Sequence, residues 1–208
     1  MLWLLEELGV PYEIKRYQRN PKTMLAPPEL KAVHPLGKSP VITDEAQTIA
    51  ESGAIMEYLV ERYGKHLRPA EGTPERLRYT YWLHYAEGSA MPLLLMRLVF
   101  SRIPKGPMPF FVKPIARRIV AKVEELFITP NLELHLDFME GELAKSAYFA
   151  GDELTAADIQ MSFVVEGAAA RGGLTSSRPR LWSWLQKVQA RPAYKRAIEK
   201  GGPYGLLV

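Results

Sequence analysis

The fold is decided by His34-Pro-Leu-Gly-Lys-Ser-Pro-Val41 and, shortly after it, Glu51-Ser-Gly-Ala-Ile55. Between the two runs lie short β-rich segments, Val41 to Thr43 and Thr48 to Ala50. Asp44-Glu45-Ala46 joins them at hairpin length. Pro40 fixes entry into an edge strand, or forms a cis bond with Ser39 that serves a fixed turn. A cis bond would leave the Ser39 backbone N–H and C=O facing outward, free to bind an extended peptide as a strand would. Glu51-Ser-Gly opens a helix, Ser52 to Tyr63, with Ile55, Met56, Leu59, Val60 and Tyr63 inward and Gly64 as the stop. Ser52 reads as its N-cap. The full capping box is missing, because Ile55 stands where Glu or Gln is needed.

Two readings of these residues stand side by side. In one, Ser52 is a plain cap, Lys38 a solvated lysine, and His34, before Pro35, a structural residue. In the other, the free N–H groups at the helix start hold a carboxylate, favoured by the helix dipole. Glu51 then accepts an ammonium, and Lys38 binds a second carboxylate. The ligand would be a short peptide with a free amino-acid end, an extended middle and a terminal carboxylate.

Upstream, Leu4, Leu5 and Leu8 fall at helical spacing, and Gly9 with Pro11 ends the helix. Nothing caps its start, so the chain opens inside an element. Tyr12 to Tyr17 alternates as a short strand. After Pro21, Pro27 and Pro28, a short helix is predicted from Pro28 to Ala32. Downstream, Leu67 to Pro74 has the composition of a linker. Beyond it the pattern is helical throughout: Glu75 to Phe100, Lys113 to Lys145 with a bend near Pro130, Ala156 to Ala170, Arg180 to Ala190, and Pro192 to Glu199. The predicted organisation is a small α/β domain, residues 1–66, a linker, 67–74, and an all-α domain, 75–208.

The chain has 208 residues and no cysteine, which excludes disulfides, thiolate zinc sites and a CxxC redox pair. The apolar run near Met91 to Phe100 is far below the ~20 residues a bilayer requires. No signal-peptide pattern is visible, so the protein is read as cytoplasmic. The net charge of +4 has a local source. Gly88 to Val123 holds seven basic residues and no acidic one, while the rest carries 20 basic against 23 acidic. No nucleic-acid reader motif accompanies this segment, so nucleic acid is not expected. A solvated helix face is the simplest reading. Enrichment of an anionic ligand or contact with acidic headgroups are alternatives, and a membrane role is not expected.

The runs Leu2 to Tyr12, His34 to Val41 and Glu51 to Ile55 resemble glutathione transferases, in that family's order. Tyr81-Trp-Leu-His-Tyr-Ala-Glu-Gly-Ser89 resembles a bacterial and fungal subgroup. Phe149-Ala-Gly-Asp-Glu-Leu-Thr-Ala-Ala-Asp-Ile159 resembles the family's folding signature. Physically, that last motif is a capping box, Thr155 with Asp158, with Leu154 and Ile159 as hydrophobic staple. Its expected role is structural. The resemblance implies a thioredoxin-like N-terminal domain, an all-α C-terminal domain, and a homodimer that conjugates glutathione to hydrophobic electrophiles. By family pattern Ser39 and Pro40 hold the cysteinyl backbone, Glu51 and Ser52 the γ-glutamyl end, and Lys38 the glycine carboxylate. No metal is implied.

The family carries a strand and a loop with the catalytic Ser, Tyr or Cys before the first helix. These are about 15 residues by ordinary element lengths, and this sequence has no counterpart to them. The missing strand would lie between those containing Ile14 and Val41. One expectation is that Met1 is internal to a heavier natural protein. The alternative is a non-catalytic protein of the same fold that binds glutathione or another ligand. A pure interaction module is disfavoured by the retained Lys38, Ser39-Pro40 and Glu51-Ser52. The catalytic residue is unassigned: Tyr12 and Tyr17 fall on the wrong strand, and only Tyr85 offers itself from the second domain. The electrophile pocket is expected among Met91, Leu94, Leu95, Met96, Phe100, Phe110 and Phe111, since Met and Phe adapt to varied shapes; for most of them the alternative reading is core or dimer surface.

Overall fold

The structure is a computed structural model and describes residues 1–21, 23 and 25–202. Helix α1, Leu2–Leu8, ends on Gly9 in the left-handed region, φ 64°, which glycine adopts without steric cost. An irregular segment leads to α2, Pro28–Val33. The strands β1, Val41–Asp44, and β2, Gln47–Ala50, pair antiparallel with Val41 opposite Ala50. Helix α3, Ser52–Tyr63, stops at Gly64. It presents Ile55, Met56, Leu59 and Val60 to the core.

The remainder is helical. Helix α4, Pro74–Tyr85, begins on the Thr73 cap and Pro74, whose missing N–H is no loss in a first turn. It runs through a π turn, Ala86–Ala90, into α5, Met91–Arg102. Helix α6, Lys113–Val123, passes through a second π turn, Glu124–Ile128, into α7, Thr129–Glu142. Then come α8, Ala156–Gly167, α9, Pro179–Gln189, and α10, Pro192–Gly201. Trp82, Phe149 and Trp184 form an aromatic chain, with centroids 4.6 and 4.8 Å apart, through the middle of this helical part. The expected capping box is present at the start of α8. Asp158 is fully buried, and it accepts from the N–H groups of Phe149 and Thr155 at 2.9 and 3.0 Å.

Helix α1 is held by the far end of the chain. Trp3 and Leu4 are buried, and α1 packs along α10. Glu6 takes hydrogen bonds from Arg196 and Lys200 at 2.7 and 2.5 Å, and Glu7 takes one from Arg191 at 2.6 Å.

Several sequence expectations need correction. Tyr12 to Tyr17 is no strand: a strand exists only where a neighbour completes its ladder, and no described strand lies beside it. Tyr63 is 39% exposed rather than inward; its hydroxyl donates to Asp44 at 2.6 Å, which holds the ring at the surface. The single helix expected from Glu75 to Phe100 contains a π turn and runs on to Arg102. The interruption expected near Pro130 is the π turn just before it, where the proline removes one helical donor.

Candidate functional site

Because Val41 pairs with Ala50, Ser39-Pro40 and Glu51-Ser52 leave the hairpin at the same end. Residues a dozen positions apart in sequence are thus brought together by one register. The Ser39–Pro40 bond is cis. Among the described residues, nothing pairs with the Ser39 backbone N–H or C=O. Lys38 beside it is exposed and has no carboxylate partner among the described residues. His34 closes α2 through its backbone N–H, bonded to the Leu30 carbonyl, in line with a structural role.

Ser52 is not the N-cap of α3. The cap is Glu51, at φ 72° and ψ 122°, and no side chain caps the helix. A non-glycine residue held there costs on the order of 1–3 kcal/mol, and such strain gathers at binding sites. Ser52 is instead the first helical residue. The early N–H groups of α3 have no helical acceptor, and its first turn contains no acidic side chain. The positive end of α3, with Glu51 as its cap, therefore lies at the same end of the hairpin as Ser39.

The sequence reading did not assign Glu87. It lies in the π turn between α4 and α5, and it comes from the helical part to meet Ser52 and Glu51. Lost hydration pushes its carboxyl above the ordinary range, the Glu51 charge adds to this, and the Ser52 hydroxyl partly reverses it by hydrogen bonding. Gln160 fixes its other side, donating to Oε1 at 2.8 Å. The run Tyr81 to Ser89 was visible in the sequence, but only the wider π turn aims Glu87 at α3. Such turns recur at functional sites.

Next to Ser39-Pro40 lies an apolar cleft of about 940 Å³, bounded by α1, the Tyr12–Tyr17 segment, α2 and the outer edge of β1. It occupies the space where the sequence reading put a strand between Ile14 and Val41. Tyr12 lines it, but its hydroxyl is committed to Glu6 at 2.6 Å. Tyr85 is committed as well, to His135 Nδ1 at 2.5 Å, and burial raises its pKa well above the usual range. Neither is a free donor for a thiolate.

Of the residues expected to line the electrophile pocket, Leu94 is buried in the core, whereas Leu95, Phe110 and Phe111 are 55%, 84% and 64% exposed. No residue of α6 is buried. Among the described residues there is no cluster of side chains suited to a metal ion.

Residues 1–62 match the family model described as glutathione S-transferase, N-terminal domain, and residues 117–187 match the one described as glutathione S-transferase, C-terminal domain. Glutathione S-transferase 3 of Schizosaccharomyces pombe is 38% identical over 96% of this chain and 82% of its own length. Among solved structures, a glutathione S-transferase from Actinobacillus pleuropneumoniae aligns with a TM-score of 0.76 at 31% identity, covering 99% of this chain and 92% of that one. A glutathione transferase from Phanerochaete chrysosporium, in complex with oxidized glutathione, aligns with a TM-score of 0.75 at 26% identity, covering 96% and 88%. The small hairpin domain with its cis-proline loop, the helical remainder and these matches agree, and this chain belongs to the glutathione S-transferase superfamily of enzymes.

Proposed function

We propose that this protein binds glutathione where the β1–β2 hairpin meets α3, and joins its sulfur to hydrophobic electrophiles. One observation supports this reading above others: the hairpin register brings Ser39-Pro40 and Glu51-Ser52 to the same end of the hairpin, where Glu87 meets Ser52 and Glu51. The γ-glutamyl carboxylate would sit on the free N–H groups of α3 beside Ser52. Its ammonium would lie between Glu51 and Glu87. The cysteinyl backbone would pair with the unpartnered Ser39 N–H and C=O, and Lys38 would take the glycine carboxylate.

In the reaction the thiol loses its proton to solvent and the thiolate attacks an electrophilic carbon. A C–S bond forms as the leaving group departs or the adjacent double bond takes up the electron pair. A group that stabilises the thiolate raises the fraction of nucleophile near neutral pH. We assign no described side chain to that role. The wider reading is a cytoplasmic, detoxifying homodimer with a glutathione-binding unit at 1–66, a linker at 67–74 and a helical unit at 75–208.

The commitment of Tyr12 to Glu6 and of Tyr85 to His135 favours a second reading, a protein that binds glutathione without activating it. Calorimetric titration with glutathione tests both. Saturable binding supports the site, and no binding by the folded chain would sink it. Turnover of an aryl halide then separates transferase from binder.

A further inference from the structure

The segment of one charge sign found in the sequence forms the α5–α6 tip, which comprises the end of α5, the loop 103–112 and α6, a helix with no buried residue. Phe110 and Phe111 stand in its loop, edge to face at 5.6 Å, 84% and 64% exposed. Ile115 and Ile119 continue the apolar stripe at four-residue spacing, and Leu95 and Val99 add to it from α5; all four are more than half exposed. Paired, exposed large aromatics are unusual on a surface that meets only water.

Arg102, Lys105, Arg117 and Arg118 belong to the same segment, all exposed and none with a carboxylate partner among the described residues. The nearby Arg97 and Lys122, by contrast, are paired to Glu124 and Glu125. Aromatic and aliphatic residues interspersed with unpaired basic ones match the interface of an anionic bilayer. The apolar groups enter the acyl boundary, and the cations stay at the headgroups.

We propose that the α5–α6 tip is a peripheral docking surface for anionic phospholipid membranes, seated through Phe110 and Phe111. This takes up the alternative that the sequence offered for the basic segment, contact with acidic headgroups. It concerns a surface contact, since no described helix is long and apolar enough to cross a bilayer. A second copy is the competing occupant, since the exposed apolar stripe runs on through Leu126 and Phe127 and Glu124 and Glu125 lie beside the segment. The exposed cations from Arg102 to Arg118, with no acidic residue among them, favour the anionic bilayer over it. Nucleic acid would leave the aliphatic stripe without a partner.

Co-sedimentation of the full chain with vesicles tests the proposal. Each basic residue near an anionic surface contributes about fivefold to binding. Vesicles of phosphatidylcholine with roughly one-third phosphatidylglycerol should therefore bind at least a hundredfold more tightly than phosphatidylcholine alone. High salt should remove most of that difference. The double variant Phe110→Ser with Phe111→Ser, which alters only exposed rings, should lose more than tenfold while keeping its melting temperature. Arg117→Glu with Arg118→Glu should abolish the preference for anionic lipid. Three outcomes overturn the proposal: no capture of the folded chain, equal capture by both vesicles, or capture unchanged in the Phe variant. So would two others: a dimer lost in the Phe variant with no vesicle binding by the parent chain, or binding of a DNA duplex alone.

Discussion

Glu6 accepts a 2.7 Å hydrogen bond from Arg196, joining the first helix of the chain to the last described one. Lys200 at 2.5 Å and Tyr12 at 2.6 Å complete the set around this carboxylate. A segment of two helical turns is marginal alone, so α1 depends on these contacts and on the burial of Trp3 and Leu4.

The first prediction concerns acid. The hydrogen bonds to Glu6, that of Lys200 first, then those of Tyr12 and Arg196, hold its pKa at about 2 against an ordinary 4.5. A depressed carboxylate contributes stability in full above its unfolded value and loses it as pH falls through the folded one. Glu6→Gln should therefore lower the urea midpoint at neutral pH. The gap to the parent protein should narrow below pH 4.5 and close near 2. A gap that stays constant with pH would refute this account.

The second prediction concerns the start of α8. Asp158→Ala should cost about 2–6 kcal/mol, at about 1–3 kcal/mol for each of two buried donors left unpaired. Those donors are the N–H groups of Phe149 and Thr155. Urea unfolding reads it. A loss under about 0.5 kcal/mol would mean that the donors find other partners.

The third prediction tests the proposed site. Glu51→Ala should weaken glutathione roughly tenfold or more by calorimetry, as loss of a charged hydrogen bond does. Alanine keeps the Cβ that makes φ 72° costly, so the backbone strain is the same in both proteins and the melting temperature should be little changed. Equal affinity in parent and variant would place the γ-glutamyl group elsewhere.

The fourth concerns Glu87. Its carboxyl is pushed above the ordinary range, chiefly by burial. It therefore loses its charge as pH falls sooner than an ordinary glutamate would, and with it the grip on an ammonium. Glutathione affinity should fall on mild acidification. Glu87→Gln should bind several-fold more weakly at neutral pH and show a flatter profile. Parallel profiles for the two proteins would remove Glu87 from the site.

Much of this was legible in the sequence. Gly9, Gly64 and the Thr155–Asp158 box act through their own turn of backbone, so neighbours in sequence reveal them. Lys38, Ser39-Pro40 and Glu51-Ser52 were read as a set from their motifs; the register that brings the two runs to one end of the hairpin, with Asp44 opposite Gln47, was not read from the sequence. Ser52 was misread as a cap because the positive φ at Glu51, which moves the cap one residue earlier, has no residue-type signal.

What the sequence by itself determined is the local part: where helices stop, which faces are apolar, and that one segment is basic throughout. Only the tertiary structure decided the rest. Tyr12 to Tyr17 has strand-like alternation but no described neighbour to share its hydrogen bonds, and β structure is a property of pairs of chains. Glu87 joins the candidate site because a π turn rotates it toward α3. Phe110 and Phe111 read as pocket, core or dimer surface by composition and are exposed in the single chain, because burial depends on what packs opposite a residue and not on the residue itself.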